Sequence, residues 1–192
     1  MSVLDETPEP KPNTAELILD AAERVVAREG ARKLTIDAVV RESGFSKGGV
    51  LYNFPSKLAL IKGMVERMVD AFSAQHDEAL KQAEAEGHQR LTAMVEAFVC
   101  AREKDEATQK VSMGLLAALA ENPELIEPVR ETVARIQKDI LALTDDKELA
   151  LIVMLASDGL HFSDILGLDI LNKDQRAAVE ARLISLVSEP PQ

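Results

Sequence analysis

The sequence predicts an all-α protein of about nine helices, in which an N-terminal head of three helices precedes a larger C-terminal helical bundle. Two observations predict this fold class. Apolar residues recur at the three- and four-residue spacing of helices along the chain, and β-branched residues do not alternate with polar ones as they do in strands. Glycine and proline interrupt this pattern where helices are expected to end. The 192 residues are enough for a small head and a second, larger core.

The chain begins with an arm and then the helical head. Residues 1–12 hold three prolines and three acidic residues, so we expect this arm to be disordered. Helix one is expected to begin with Thr14 as its cap and to end at Gly30. Two short helices complete the head, which we place at residues 13–58.

The stretch after helix one predicts a helix-turn-helix. Thr35 suits the cap of the second helix, and Gly44 suits the left-handed residue that ends it. Ser46 then caps a third, short helix whose outer face carries small, basic and polar side chains. Two helices joined by a short glycine-containing turn form the unit that reads the DNA major groove. The predicted DNA-contacting residues are Thr35, Ser46, Lys47, Gly48, Gly49, Tyr52, Asn53 and Lys57.

The run SKGGVLYNFPSKLAL resembles the recognition helix, and the start of the next helix, in the TetR family of bacterial transcriptional repressors. It departs from the family pattern at Leu51, where a tyrosine is usual, and at Asn53, where a histidine is usual. Tyr52 lies one position after the place of the family's usual tyrosine. The phosphate contact that the family assigns to that tyrosine therefore passes to Tyr52 or is lost. The resemblance implies a DNA-binding head on a dimeric, ligand-binding body. The matching residues are Ser46, Lys47, Gly48, Phe54, Ser56 and Lys57.

Six helices are predicted in the body, residues 59–188, which we assign to ligand binding and dimerisation. Helix four, from Ser56 to about Ala85, is long enough to link head and body. Helix eight, from Asp145 to Leu168, is apolar nearly all round, which predicts burial on two sides. One monomer core covers only one side, so helices eight and nine are predicted to form a four-helix interface with their copies. The remaining helices are predicted at His88–Lys104, Asp105–Ala120, Pro123–Leu143 and Lys173–Val187.

Two groups of side chains in the body are candidates for a ligand site. Asp158, His161 and Asp164 recur every three residues in helix eight, where they could line a ligand site, bind a metal or form a polar seam at the dimer interface. Methionine and phenylalanine suit an adaptable pocket, although they more often belong to plain core. His76 and His88 lie in polar stretches and are predicted to be solvated. The candidate ligand-binding residues are Met94, Phe98, Met113, Met154, Asp158, His161 and Phe162.

Charge is divided unevenly along the chain. The net charge is −11, yet residues 13–57 hold seven basic and six acidic residues, which leaves −12 on the rest. An acidic body repels DNA and confines DNA contact to the head. It also favours a lipophilic cation as the effector. The chain has no tryptophan and only 3 % aromatic residues, so cation–π contacts are scarce and a neutral or fatty-acyl effector is the alternative.

Several classes of protein are disfavoured. The sequence has no Gly-x-Ser-x-Gly and no His-Glu-x-x-His, and Gly48-Gly49 lacks the strand and the lysine of a phosphate-binding loop, so we expect neither an enzyme nor a cofactor or metal. A single cysteine, Cys100, and the absence of a signal peptide or membrane-length apolar run favour the cytoplasm. We therefore predict a homodimeric repressor that a small hydrophobic effector releases from a palindromic operator. The alternative is a helical dimeric interaction module without DNA binding.

Overall fold

The computed structural model describes residues 13–86, 89–99 and 106–188, so the N-terminal arm, His88 and Cys100 lie outside the described residues. Within these ranges the protein has nine α-helices, two short 3₁₀-helices and no strand, which confirms the predicted all-α class. The head helices are α1 (Thr14–Glu29), α2 (Ile36–Ser43) and α3 (Lys47–Asn53). The body helices are α4 (Lys57–Glu86), α5 (Arg90–Val99), α6 (Glu106–Glu121), α7 (Glu127–Ala142), α8 (Lys147–Ile165) and α9 (Lys173–Ser188). The 3₁₀-helices are Ala31–Lys33 and Pro123–Ile126.

Side-chain caps fix where the head helices begin. Asn13, and not Thr14, caps α1, because its Oδ1 accepts the backbone N–H three residues later at 2.9 Å. Thr35 and Ser46 cap α2 and α3 as predicted, each accepting a backbone N–H at 3.1 Å. Gly44 ends α2 at φ 75°, the left-handed conformation that glycine adopts without strain. These caps hold the turn between α2 and α3.

One apolar core runs from the head into the body. Val39 and Val50 of the head are completely buried in the same cluster as Met64 of α4 and Leu119 of α6. Gly114 allows α6 to approach the head closely, since a Cβ there would lie 2.8 Å from a methyl carbon of the α1 core residue Val26. The core therefore crosses the predicted domain boundary at residue 58, and the head is packed against α4 and α6 as one unit.

Arg67 fixes the angle between α4 and the head. Its guanidinium lies 3.3, 2.6 and 2.5 Å from carboxylate oxygens of Glu16, Asp20 and Glu23, three acids on one side of α1. The Arg67 side chain is half-buried and the carboxylates are more exposed, so this ionic cluster is only partly shielded from solvent. These ion pairs join α4 directly to α1 of the head.

The rest of the body holds two smaller apolar clusters. The first packs α5, α8 and α9 together through Val95, Val153, Leu183 and their neighbours. The second lies between α4, α5, α7 and α8 and is built on Met94, Ile136 and Ile140. None of the described helices is long and apolar enough to cross a lipid bilayer.

Candidate DNA-binding face and ligand cavity

Helix α3 presents a small polar face to solvent. Val50 anchors the helix in the core, whereas Tyr52 is 90 % exposed and Lys47 is exposed as well. A Cβ at Gly48 would meet no atom within 4 Å, so this glycine leaves open space on the outer face. An anchored helix with one aromatic, one basic and one glycine position facing outwards can enter a DNA groove and approach the phosphates.

Lys47 is paired with an acid of the preceding helix. Its Nζ lies 2.9 Å from Oδ1 of Asp37, which belongs to α2, and both side chains are exposed. A surface pair of this kind contributes little to stability. The pair matters more for DNA binding. The Asp37 carboxylate repels approaching phosphates, and it competes with them for the Lys47 ammonium.

Two of the predicted DNA contacts are already used by the fold. The half-buried Lys57 donates from Nζ to the backbone carbonyls of Ala31 at 3.0 Å and Arg32 at 3.3 Å, which fastens α4 to the turn after α1. Two of the three ammonium donors of Lys57 are thus used within the chain, and its predicted phosphate contact stays a prediction. Asn53 donates from Nδ2 to the carbonyl oxygen of Gly49 at 2.9 Å, so its amide is engaged within α3.

The head also carries exposed cations that sequence reasoning missed. Arg32, Lys33 and Arg41 are exposed, and no acid of the described residues forms an ion pair with them. Arg41 follows Asp37 by four residues on α2, so it shares the side of α2 that borders Lys47. The four-residue spacing of Asp37 and Arg41 in the sequence already placed both on one side of α2. These guanidinium and ammonium groups are candidate phosphate contacts.

A cavity opens between α4, α5, α7 and α8. Its volume is about 50 Å³, and it is partly open to solvent. The rings of Phe72 and Phe98 lie with centroids 5.3 Å apart and form an aromatic wall. The apolar lining suits a hydrophobic molecule, which must displace side chains of the wall to enter a cavity of this size. The lining residues are Phe72, Phe98, Val133, Ile136, Ile140, Met154, Ser157 and Asp158.

The seven residues predicted to bind a ligand do not form one site. Phe98, Met154 and Asp158 line the cavity, and Met94 is completely buried in the apolar cluster beside it. The remaining three lie outside the lining. Met113 is exposed on α6, which takes no part in the cavity, His161 is half-buried on α8, and Phe162 belongs to an exposed stripe on the outer side of α8.

Asp158 is the charged group of the cavity lining. It lies at the rim, and it forms no ion pair with any described residue. Partial burial beside the apolar wall raises the pKa of Asp158, while nearby His161 lowers it to a smaller degree. Asp164 does not share this site, because the guanidinium of Arg176 in α9 binds both its carboxylate oxygens at 2.7 Å. Of the three residues spaced along α8, Asp158 and His161 are therefore neighbours, and Asp164 is bound to α9.

His76 is buried and not solvated as predicted. The residue is 2 % exposed, and its ring centroid lies 6.2 Å from that of Phe98. The sequence did contain the signal, since Phe72, His76 and Leu80 follow one another at four-residue spacing on α4. The polar residues around the histidine belong to the other faces of that helix.

The outer side of α8 carries an apolar stripe. Ile152 and Leu155 are 60 % and 70 % exposed, and Phe162 and Leu166 continue the same line at three- and four-residue spacing. Gly159 lies in the middle of this stripe, where a Cβ would meet no atom of the chain within 4 Å. A contiguous exposed apolar stripe of this length indicates a protein interface.

A capped helix-turn-helix with an exposed basic and aromatic face, joined to a helical body with a cavity, defines a DNA-binding regulator of transcription. Two family models match the chain: "Bacterial regulatory proteins, tetR family" at residues 18–64 and "Tetracyclin repressor-like, C-terminal domain" at residues 88–188. The second alone covers more than half of the chain. The protein therefore belongs to the TetR family, as the motif indicated.

One curated relative and two solved structures illustrate what the chain resembles at 21–23 % identity. The nucleoid occlusion factor SlmA of Aliivibrio fischeri is 23 % identical over 140 residues, which cover 72 % of this chain and 70 % of that protein. The multidrug-binding protein EbrR, solved with ethidium, superposes with a TM-score of 0.64 at 22 % identity over 91 % of this chain and 99 % of that one. A transcriptional regulator of Saccharomonospora viridis, solved with choline, superposes with a TM-score of 0.67 at 21 % identity. The match covers 89 % of this chain and 95 % of that one. At these identities the two structures show the fold alone.

Proposed function

We propose that the protein is a homodimeric repressor that a small hydrophobic cation releases from a palindromic DNA operator. The observation that carries this proposal is the course of α4. Phe72 places this helix in the cavity wall, and Arg67, little more than one turn earlier, binds the carboxylates of α1. A ligand that displaces the aromatic wall acts directly on the helix that carries the head. It shifts the equilibrium only by its differential affinity for the two positions of the head.

The apolar stripe of α8 supports dimerisation through α8 and α9. TetR-like regulators bind DNA and dimerise, and a helix-turn-helix dimer reads two half-sites about 34–36 Å apart, or a multiple of that spacing. Two copies of the stripe face each other across a two-fold axis, with Gly159 allowing close approach. The exposed side of α9 carries Ala177, Ala178 and Ala181, small residues that suit a closely packed four-helix interface.

Asp37→Asn is expected to strengthen DNA binding by about three- to tenfold. The substitution releases the Lys47 ammonium and removes a negative charge next to the phosphates. Lys47 contacts its phosphate in both proteins, so the slope of log affinity on log salt should stay unchanged. Fluorescence anisotropy with a labelled operator over a salt series measures both. Glu131→Gln, an equal charge change on the exposed surface of α7, is the control and should leave affinity unchanged. Equal affinity of Asp37→Asn and the parent would contradict the role of the pair.

Asp158 supports a cationic effector. A carboxylate without an ion-pair partner at the rim of an apolar cavity attracts a cation whose hydrocarbon part fills the cavity. The aromatic faces of Phe72 and Phe98 add cation–π attraction. EbrR was solved with ethidium and the Saccharomonospora viridis regulator with choline, and both ligands are organic cations, which supports this class of ligand. A neutral fatty-acyl effector is the other outcome of the test.

Asp158→Asn is expected to weaken binding of hexyltrimethylammonium by at least about tenfold, since it removes the opposite charge. The pKa of Asp158 is raised, so protonation of the carboxyl reduces cation affinity in the parent as pH falls through that pKa. The affinity of the Asp158→Asn variant should not depend on pH in this way. The His161→Gln variant shows how much of the pH dependence comes from the neighbouring imidazole. Calorimetric titration over a pH series measures the affinities.

The same titration distinguishes the two classes of effector. Hexanol is the matched neutral ligand, and its affinity should not respond to Asp158→Asn. Binding of hexanol alone, or hexyltrimethylammonium affinity that ignores both pH and Asp158, would overturn the cation proposal. Release of labelled operator by the ligand that binds then tests the repressor mechanism, and binding without release would contradict the part assigned to α4.

A further inference from the structure

The buried imidazole of His76 carries a polar atom that the fold leaves without a partner. The side chain is shielded from solvent, and its Nε2 has no hydrogen-bond partner among the described residues. Most buried polar atoms in native proteins are hydrogen-bonded, because leaving one unpaired destabilises the folded state. An unpaired nitrogen at this position therefore indicates a role outside the stability of the chain.

The imidazole lies beside the ligand cavity. Phe72, one helical turn before His76, lines the cavity, and Leu80, one turn after it, packs on the same apolar cluster. Residues four apart share one face of a helix, so the imidazole is directed to the same side of α4. Its neighbour Phe98 belongs to the cavity wall. A ligand that displaces the Phe98 ring can thus reach His76.

The other ring nitrogen determines what Nε2 can bind. Nδ1 lies 3.1 Å from Oδ1 of Asp77, and Arg135 of α7 lies 3.3 Å from the same oxygen. The hydrogen bond from His76, with a further one from Arg135, lowers the pKa of Asp77, so this group is a carboxylate that only accepts. Nδ1 must then carry the proton, and in the neutral ring Nε2 offers a lone pair. The missing partner is a hydrogen-bond donor.

We propose that His76 accepts a hydrogen bond from the buried end of the effector, which is therefore a cationic amphiphile with a hydroxyl-type donor at the end opposite its charge. This inference rests on the proposed effector site. Asp158 at the rim binds the cation, the Phe72–Phe98 wall and Met154 contact the apolar middle, and His76 binds the donor. A cation with a plain hydrocarbon tail leaves Nε2 unpartnered and gains nothing from His76.

Two probes that differ by one hydroxyl test the proposal. Hexyltrimethylammonium and its 6-hydroxyhexyl analogue are titrated calorimetrically into the full chain and into His76→Asn and His76→Gln. Asparagine keeps a donor near the position of Nδ1 and removes Nε2, whereas glutamine keeps an amide near Nε2. The affinity ratio of the hydroxylated to the plain probe is expected to fall about five- to tenfold from the parent to His76→Asn, the net value of one hydrogen bond. The plain probe should bind both equally, and His76→Gln should recover part of the ratio.

The possible outcomes separate this inference from the proposed function. An unchanged ratio in His76→Asn, with both probes still dependent on Asp158, overturns the role of His76 and leaves the cation site standing. Equal weakening of both probes assigns His76 a structural role only and also overturns the proposal. Failure of both probes to bind the parent overturns the cation site itself. Thermal unfolding shows whether His76→Asn is folded. If it is not, the same affinity ratio is measured with His76→Phe, whose ring fills the space without a polar atom.

Discussion

Leu155→Glu is expected to convert the protein into monomers and to lower its affinity for operator DNA by about 100-fold or more. Leu155 is the most exposed residue of the α8 stripe, and it lies outside the apolar core of the chain. The substitution should therefore leave the fold intact while it places an unpaired charge in the proposed interface. Affinity falls because a single head on one half-site has no second head to keep it near the DNA.

Sedimentation equilibrium measures the first effect against the 20.9 kDa mass of one chain, and anisotropy with a two-half-site duplex measures the second. Gln137→Glu adds the same charge to the exposed surface of α7 and should remain a dimer with parental DNA affinity. A dimeric Leu155→Glu would exclude the α8 stripe from the interface. A monomeric variant that binds the duplex like the parent would show that dimerisation does not contribute to DNA affinity.

Val50→Asp is expected to destabilise the protein by at least about 3 kcal/mol. Val50 is completely buried and anchors α3 in the core shared by the head and α4. An aspartate there buries a carboxyl group without a partner and removes apolar contacts at the same time. Because this core continues into the body, we expect the whole chain, and not only the head, to unfold at a lower urea concentration.

Tyr52→Ala is the matched contrast two positions along the same helix. The exposed side chain of Tyr52 contributes little to the fold, so stability should change by less than about 0.5 kcal/mol. If Tyr52 contacts phosphate in place of the family's tyrosine, DNA affinity falls in this variant although its unfolding curve matches the parent. Parental affinity would show that the contact is lost and not moved by one position. Parental stability of Val50→Asp would contradict the anchored orientation of α3.

The sequence specified the helices more clearly than the sites. Helical periodicity and caps such as Thr35 and Ser46 depend on residues close together in the chain, so they could be predicted. The cap at Asn13 was missed because asparagine and threonine, both good caps, are adjacent there. The fold of the head followed from one motif of some twenty residues.

Site residues depend on which helices pack together, and sequence periodicity does not determine that. The sequence predicted a phosphate contact for Lys57, but it could not show that carbonyls of the turn after α1 lie against its ammonium. Asp158 and Asp164 have the same spacing pattern, yet only Asp164 meets an arginine, and that arginine comes from α9. His76 shows that a polar residue at an apolar position on a helix can be the more informative signal.

Selection of DNA by the full chain from a random duplex pool, followed by titration of the selected sequence, tests the proposed function most directly. We expect an inverted repeat whose half-site centres lie about one helical turn, or a multiple of it, apart. We also expect one dimer on each duplex, and the substitution Lys47→Ala should lower the salt slope by about 1. Recovery of no common sequence would contradict the proposed function. So would a selected sequence that lacks two-fold symmetry and that the Lys47→Ala variant binds as well as the parent does.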